Sequence, residues 1–573
     1  MTKPPAQPHR IADVVFERLA AGGGGPDAVV LLREARRSRN LLQLRRVLDG
    51  PCASRAAQAT DLLARIEPDA VLPVLDSPSF GTWAARTARD CPGHTQGEGC
   101  TARDLGALAA VAAVRAGVAA EVAVPVRDDG LLRLPGLGTA RPTGPGTECV
   151  VATDGRTVEI RAGHEVLRLP RDMRRPGRGW QPVAVLHAAH RGHELRLTLE
   201  TADRQLRALP GDRVGAAAWQ ELLCSAWELI VEDHPRRAVE LTAGLTALVP
   251  LPAPARGVAA ATSRHAFGAV LASWAATPQR LALTLLHEFQ HSKLSALMDL
   301  VPLHEPGGAR RLYAPWRPDP RPPVGVLHGV YAHLADLDFW DRRSAVERGA
   351  EQADAAWQSV RARAHLERGF AEVADRIRLT FAGRRFVAGS AAAVRATAAP
   401  GPPRLRGAVT RIEQGREAVW HLRWVTTDPA EVDRLAALLR AGEPAGPLPS
   451  GRVGVRTGPV TGEGGAFVRW AARQRGADAA VPLRAAADAV AAQPERTEAW
   501  ADLAAAAAEH GAACAPVLRR HTELVQALLL AQARPASDPL AIADWLAGGE
   551  PQNTGVSMSQ NARSPLANIS ATG

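Results

Sequence analysis

The residues best suited to chemistry lie in the segment 277–300, TPQRLALTLLHEFQHSKLSALMDL. It contains His287, Glu288 and His291 in the pattern HExxH. Residues four apart lie on the same face of an α-helix, so both imidazoles can reach one metal ion while Glu288 lies near its open side. The segment opens with Thr-Pro, which favours a helix start because the hydroxyl caps the first turn and proline lacks only an N–H that has no helical partner there. The pattern therefore predicts a metal-binding helix.

Other chemically capable residues crowd the same part of the chain. Five of the 17 histidines fall between positions 287 and 333, together with both tyrosines and one of only two lysines. These residues are His287, His291, His304, His328, His333, Tyr313, Tyr331 and Lys293. We interpret this concentration as a second indication of a functional centre.

An HExxH helix is typical of zinc peptidases, in which the glutamate acts as general base on a zinc-bound water. Such an enzyme needs a third ligand. The extended motif HExxHxxGxxH is absent, because Leu294 and Leu297 stand where Gly and His would fall. A downstream glutamate, Glu305 or Glu347, is one alternative.

Two further histidines are better placed to complete a site. His328 and His333 lie in VGVLHGVYAHLADLDFW, which is predicted to be a helix. Three nitrogen ligands with open coordination positions suit zinc, and they also suit a non-haem iron that binds a co-substrate and oxygen. The residues alone leave the metal and the third ligand open.

Longer motifs around these residues carry a family resemblance. The runs LHEFQHSKLSALMDLVPLHEP and RRLYAPWRPDPRPPVGVLHGVYAHLADLDFW resemble the HExxH-motif family from actinobacterial gene clusters for ribosomally made, modified peptides. Its members are iron(II)- and 2-oxoglutarate-dependent peptide β-hydroxylases. The resemblance is strongest over about 260–345 and, more weakly, extends over most of the first 400 residues. The region beyond about 400 is less diagnostic, and the tail 551–573 is not part of the resemblance.

This resemblance implies a role for each matching residue. His287, His291 and His333 would be the iron ligands, with His328 as the fallback for the third position. Glu288 would orient a ligand or a metal-bound water instead of acting as a peptidase base.

The resemblance also implies a site for the co-substrate. The distal carboxylate of 2-oxoglutarate calls for a bidentate cation, for which the guanidinium fork of Arg317 or Arg321 is well shaped, with Tyr313 as a supporting donor.

The implied activity uses Fe(II), 2-oxoglutarate and O2 to hydroxylate a side-chain β-carbon of a ribosomally synthesised precursor peptide. Two alternatives stay open. One is a zinc metallopeptidase that processes a precursor peptide, and the other is a non-catalytic peptide-recognition protein. The polar tail 551–573, which holds three of the four asparagines, is a candidate substrate-like peptide acting in cis.

The composition is that of a soluble globular protein: of 573 residues, 46% are hydrophobic and 22% charged. The net charge of +10 comes from arginines interspersed with Asp and Glu, so no nucleic-acid partner is predicted. The most membrane-like stretch, 107–126, is interrupted by Arg115 and Glu121, so no membrane association is predicted.

The cysteines and the N-terminal sequence favour a reducing, cytoplasmic location. The six cysteines are too few and too scattered for a disulfide framework, and MTKPPAQPHR lacks the apolar core of a signal peptide. The loop between Cys91 and Cys100, which contains His94, is expected to hold buried thiols.

The periodicity of apolar residues predicts a mainly helical α+β fold with the HExxH helix in its core. It predicts an N-terminal helical region (1–146), a β-rich segment (147–212), a metal-binding catalytic core (213–400), a C-terminal helical region (401–550) and a disordered polar tail (551–573). The run AVWHLRWV near 420 is predicted as a short strand. Eight regular strands cannot be found, so the fold is not expected to be a double-stranded β-helix.

Overall fold

The computed structural model describes residues 9–91, 101–144, 146–200, 214–254, 259–306, 310–397, 401–454, 465–532 and 538–548, with backbone only at 465 and 466. The tail 551–573 and the loop that contains His94 lie outside the described residues. The chain forms two compact units, Met1–Pro302 and Leu303–Gly573. The boundary falls inside the segment 213–400, between the HExxH helix and the helix that carries His333.

The first unit begins with helices that pack their alanine- and leucine-rich faces together. Three of them have proline in the first turn, and Ser77 caps one by accepting a hydrogen bond from the Phe80 amide at 3.2 Å. They are α1 (Asp13–Ala20), α2 (Pro26–Leu48), α3 (Ala53–Arg65), α4 (Pro68–Leu75), α5 (Pro78–Asp90) and α6 (Leu105–Ala116).

Strands begin at Ala119, within the region predicted to be helical. Buried Val122 and Val124 alternate with less buried neighbours, which is the pattern of a half-buried strand. The strands are β1 (Ala119–Pro125), β2 (Leu132–Leu134), β3 (Gly138–Ala140), β4 (Glu148–Asp154), β5 (Val158–Ala162), β6 (Glu165–Arg168), β7 (Trp180–Pro182), β8 (Ala184–His190) and β9 (His193–Leu199).

The rest of the first unit carries the HExxH helix. It consists of α7 (Ala216–Asp233), α8 (Pro235–Gly244), β10 (Ala247–Leu251), β11 (Ala260–Ala261), β12 (Ala269–Ser273) and α9 (Pro278–Leu300). Three sheets result, with the orders β1-β4-β5-β6, β2-β3-β7 and β11-β12-β10-β9-β8. In the last sheet β10 is parallel to both β9 and β12, and the remaining strand pairs are antiparallel.

The second unit is almost entirely helical in its described part. It comprises α10 (Pro323–Val346), α11 (Gly349–Arg376), α12 (Phe381–Ala396), α13 (Pro403–Trp424), β13 (Val425–Thr426), α14 (Pro429–Ala441), β14 (Arg452–Val453), α15 (Gly465–Gly476), α16 (Leu483–Ala492), α17 (Thr497–Glu509), α18 (Ala515–Arg520), α19 (Thr522–Ala531) and α20 (Pro539–Ala547). The predicted strand AVWHLRWV is wrong for all but its last residue. Its Trp420 and Trp424, four residues apart, are buried on one side of α13, which is helical spacing.

These elements confirm a mainly helical α+β fold that is not a double-stranded β-helix, since the described strands form small sheets without a closed barrel. None of the described helices combines the length and apolarity needed to span a membrane. The expectation of buried thiols in the loop between Cys91 and Cys100 is wrong for Cys91. Cys52 and Cys91, both buried, are joined by a disulfide, because α3 and α5 bring them together at their ends.

A buried polar network holds the inward face of α9. Lys293 is 1% exposed, and its Nζ donates to Glu240 Oε2 at 2.7 Å and to two carbonyls of the glycine run 22–25 at 3.0 and 2.9 Å. Gln290 donates to the first of these carbonyls at 2.9 Å. Three glycines of the run have positive φ, a conformation that other residues rarely adopt. The network fixes α9 to the loop after α1.

Replacing Lys293 by methionine should destabilise the protein by about 3–5 kcal/mol, because it removes one partner of a buried ion pair. Among the described side chains, Arg237, 3.5 Å away, would remain as a cationic partner of Glu240. Denaturant unfolding followed by circular dichroism measures the loss. The double variant Lys293→Met/Glu240→Gln should recover much of it, and a single variant as stable as the wild type would contradict this role.

Candidate metal centre

The two histidines of the HExxH motif lie on one side of α9. Thr277 caps the helix by accepting a hydrogen bond from the Arg280 amide at 3.3 Å, as the sequence predicts. The rings of His287 and His291 are 5.0 Å apart between centroids and stand nearly perpendicular, at 80°. Both side chains are half-buried, whereas the residues between them face inward. The i, i+4 spacing therefore places two imidazoles on one accessible side of a well-packed helix.

Glu288 is held within the first unit. It is 5% exposed, and its Oε2 accepts a hydrogen bond from the Thr262 hydroxyl at 2.6 Å. The same hydroxyl lies 3.0 Å from the Glu288 carbonyl oxygen. A carboxylate fixed in this way is oriented by its neighbour, which suits a positioning role.

In the second unit, His333 has a defined tautomer. It is 8% exposed, and its Nδ1 lies 2.8 Å from the carbonyl oxygen of Gly329. A carbonyl can only accept, so Nδ1 carries the proton and Nε2 keeps a lone pair. Asp336, one turn further along α10, has its Oδ2 3.6 Å from this Nε2. A nitrogen and an oxygen suited to a metal therefore lie side by side on α10.

Trp316 covers one face of His333. The two rings are 4.5 Å apart between centroids and tilted by 31°. Gly329 makes this contact possible, since a Cβ there would come within 2.1 Å of the Trp316 ring. The tryptophan from the YAPWRPDPRP run thus shields the imidazole from water on that side.

The other candidate ligands in the second unit have different partners. His328 is half-buried on α10, five residues before His333. His304 has its Nδ1 2.7 Å from the carbonyl oxygen of Glu305. The carboxylate of Glu305 pairs with Arg378 at 2.8 Å on the surface, and Glu347 pairs with Arg343 within α10 and its cap.

The residues predicted to bind 2-oxoglutarate separate into two environments. Arg317 and Arg321 both donate to Asp319, at 2.9 and 3.1 Å, with half to two-fifths of each side chain exposed. Tyr313 is buried, its ring packs edge-on against Trp420 at 5.3 Å, and burial raises its pKa well above the usual value. A dicarboxylate that binds Arg317 and Arg321 would have to compete with Asp319.

A buried ionic network lies beside Tyr313 that sequence reasoning missed. Arg368 on α11 binds both carboxylate oxygens of Glu417 on α13, at 2.9 and 2.6 Å, and also Glu372 at 3.0 Å. Its guanidinium lies 5.5 Å from the Tyr313 ring centroid. Pairs such as Arg368 and Glu372 at i, i+4 are indistinguishable in sequence from solvated surface pairs.

A second ion pair lies beside His365, a neighbour of His333. Arg416 donates to Glu413 at 3.0 Å and lies 3.3 Å from His365 Nε2. The His365 ring is 5.8 Å from that of His333. Burial lowers the pKa of His365, which favours its neutral form.

Asp336 is the other residue that sequence reasoning missed. It lies three positions after His333, so it shares that residue's helix face. That spacing was a usable signal, but the aspartates of HLADLD also fit an ordinary amphipathic helix.

The chain matches no protein-family model, and no similar protein was found among curated sequences. The family resemblance of residues 260–345 therefore carries to function only as a proposal.

The network on α11 and α13 predicts a specific acid sensitivity. Burial would raise the pKa of Glu417, but Arg368 lowers it to about 2. Similarly, Arg416 and His365 outweigh burial and lower the pKa of Glu413 to about 2. A carboxylate with a lowered pKa stabilises the fold above its unfolded pKa of about 4.5, and this contribution is lost as the pH falls towards 2.

Glu417→Gln should therefore lower the unfolding free energy at pH 7 by about 3–5 kcal/mol, since it leaves a buried guanidinium under-compensated. It should also make stability less dependent on pH between 5 and 2. Denaturant titrations at several pH values measure both effects. The exposed Glu431, paired with Arg434 at 2.9 Å, is the matched control, and Glu431→Gln should cost about 0.5 kcal/mol or less. Equal behaviour of the two variants would show that the network contributes no stability.

Proposed function

We propose that this protein is an iron(II)- and 2-oxoglutarate-dependent oxygenase that hydroxylates a side-chain β-carbon of a ribosomally made precursor peptide. The observations that carry the proposal are donor groups found in each unit separately. In the first unit His287 and His291 lie on one side of α9, and in the second unit His333 Nε2 lies 3.6 Å from the Asp336 carboxylate. Imidazoles and a carboxylate are the ligand types typical of non-haem iron oxygenases.

The proposed ligands fit a metal in their chemistry. His287 and His291 share one side of α9, and the proton on His333 Nδ1 leaves Nε2 for coordination. Asp336 extends the set predicted from sequence, in which His333 alone was the third ligand. When bound, the iron and 2-oxoglutarate would supply an oxidant able to remove hydrogen from an unactivated C–H bond.

The chain's own residues would position the reactants and limit water. The Thr262 hydroxyl contacts both the carboxylate and the backbone carbonyl of Glu288. It therefore ties the loop after β11 to the turn of α9 that carries the two histidines. Trp316 covers one face of His333. Arg317 and Arg321, bridged by Asp319, are the proposed cations for the distal carboxylate of 2-oxoglutarate, with Tyr313 nearby in sequence.

The held position of Glu288 supports the oxygenase over the zinc peptidase. A peptidase uses this glutamate as the base that activates water, whereas here its carboxylate accepts a hydrogen bond from the half-buried Thr262 hydroxyl at 2.6 Å. Glu288→Gln can still accept from Thr262 through its amide oxygen. The substitution should therefore abolish a peptidase but reduce an oxygenase only moderately.

Two further proposals concern location and substrate. We place the protein in the cytoplasm, although the Cys52–Cys91 disulfide is more typical of oxidising compartments. Thiol counting on protein prepared with rapid alkylation tests this, because a disulfide already present in cells would argue against it. We propose the tail 551–573 as a peptide acting in cis, and mass spectrometry that finds no +16 Da on it after turnover would exclude it as the acceptor.

The function is tested anaerobically with the full-length protein. Addition of iron(II) and then 2-oxoglutarate to the apoprotein should give a weak visible charge-transfer band. Admission of oxygen should bleach the band and form succinate. Manganese(II) in place of iron is the control, and should give neither. One tightly held zinc, no band, and cleavage of a precursor peptide that Glu288→Gln abolishes would establish the peptidase instead.

A further inference from the structure

The first unit contains a cavity of about 1070 Å³ that the proposed metal ligands do not line. Its walls come from α2, α4, α5 and α6 and from β9, β10 and β12. Part of the wall is apolar, with Leu72, Trp83, Leu108, Val249 and Leu271. Small-molecule pockets usually measure about 300–1,000 Å³, so this cavity can accept several residues of a peptide.

The cavity carries an excess of positive charge. Its described lining includes seven arginines and four carboxylates. A concave surface of one predominant sign concentrates the electric field and attracts ligands of the opposite charge. The lining therefore favours an acidic ligand.

Arg33 is the clearest anchor for such a ligand. Arg37 donates to both oxygens of Asp76, each at 2.6 Å. Arg33 lies 3.6 Å from the same carboxylate, and about a third of its side chain, 33%, is exposed. Its Nη1 donates to the Ala243 carbonyl at 3.1 Å, which holds the side chain at the wall. Arg37 thus makes the short hydrogen bonds to both Asp76 oxygens. The Arg33 guanidinium makes only a longer contact with this carboxylate and is suited to bind a ligand carboxylate.

The cavity also reaches the HExxH helix within the same unit. Thr262, which holds Glu288, is one of the lining residues. A chain lying in the cavity can therefore extend to the backbone beside α9.

We propose that this cavity binds an acidic, partly apolar segment of the precursor peptide, with one of its carboxylates on Arg33 and its apolar side chains against Trp83 and Leu108. The proposal rests on the proposed function only in naming the precursor peptide as the source of the segment. A nucleic acid fits less well, since the apolar part of the wall, which includes Trp83 and Leu108, offers no partner to a phosphate backbone.

Fluorescence anisotropy with labelled synthetic peptides tests the binding without iron or 2-oxoglutarate. One peptide of about twelve residues combines Glu, Leu and Ser, and its partner has Lys at every Glu position. The acidic peptide should bind at least about tenfold more tightly, and raised salt should weaken it. Equal binding of both peptides, or tighter binding of a single-stranded oligonucleotide, would overturn the proposal.

Variants locate the binding on the full-length protein. Arg33→Gln should weaken the acidic peptide about tenfold, whereas Arg33→Lys, which keeps the charge, should lose less. Arg174→Gln removes the same charge from a side chain that is 90% exposed and outside the cavity lining, and should have no effect. Circular dichroism checks folding.

Should Arg33→Gln misfold, Arg89→Gln at the rim, 65% exposed, provides the same comparison. Wild-type affinity in the folded cavity variant would overturn the proposal. Peptide binding without a 2-oxoglutarate-dependent band would keep this cavity assignment and reject the oxygenase, so the two proposals fail separately.

Discussion

The buried contact between Lys293 and Glu240 determines which face α9 presents. Lys293 is almost completely buried, so its ammonium needs the carboxylate and the glycine-run carbonyls that surround it. With that side fixed inward, the opposite arc of the helix carries His287 and His291 in half-buried positions. This buried charge pair thereby fixes the rotation of the helix, which leaves both imidazoles of the HExxH motif on its accessible side.

A comparable arrangement supports His333 in the second unit. Gly329 accepts the Nδ1 proton through its carbonyl and, by lacking a side chain, admits the Trp316 ring. The ion pair of Arg368 with Glu417 and the contact of His365 with Glu413, at 3.3 Å, tie α11 to α13 around this region. In each unit, buried polar contacts therefore orient imidazoles, as the proposed role of these imidazoles as metal ligands requires.

Local signals in the sequence predicted a large part of this. The Thr-Pro cap and apolar spacing predicted α9 almost to the residue, and period-2 alternation predicted β5, β6 and β9. The strand predicted at AVWHLRWV failed because its tryptophans contact a segment about 100 residues earlier, Trp420 at Tyr313 and Trp424 at Pro318, a tertiary effect that a short window does not contain. The disulfide, Asp336 and the Arg368 network escaped for the same reason: their partners are distant in sequence, or their spacing is shared by ordinary surface helices.

The iron ligands proposed on α9 and on α10 are tested most directly by metal stoichiometry. Anaerobic equilibrium dialysis against iron(II), followed by iron quantification, should give one tightly bound iron per chain in the wild type. His287→Ala, His333→Ala and Asp336→Asn should each weaken binding by at least about tenfold, whereas His164→Ala, at an exposed position, should not. Full binding by both His287→Ala and His333→Ala would contradict the account.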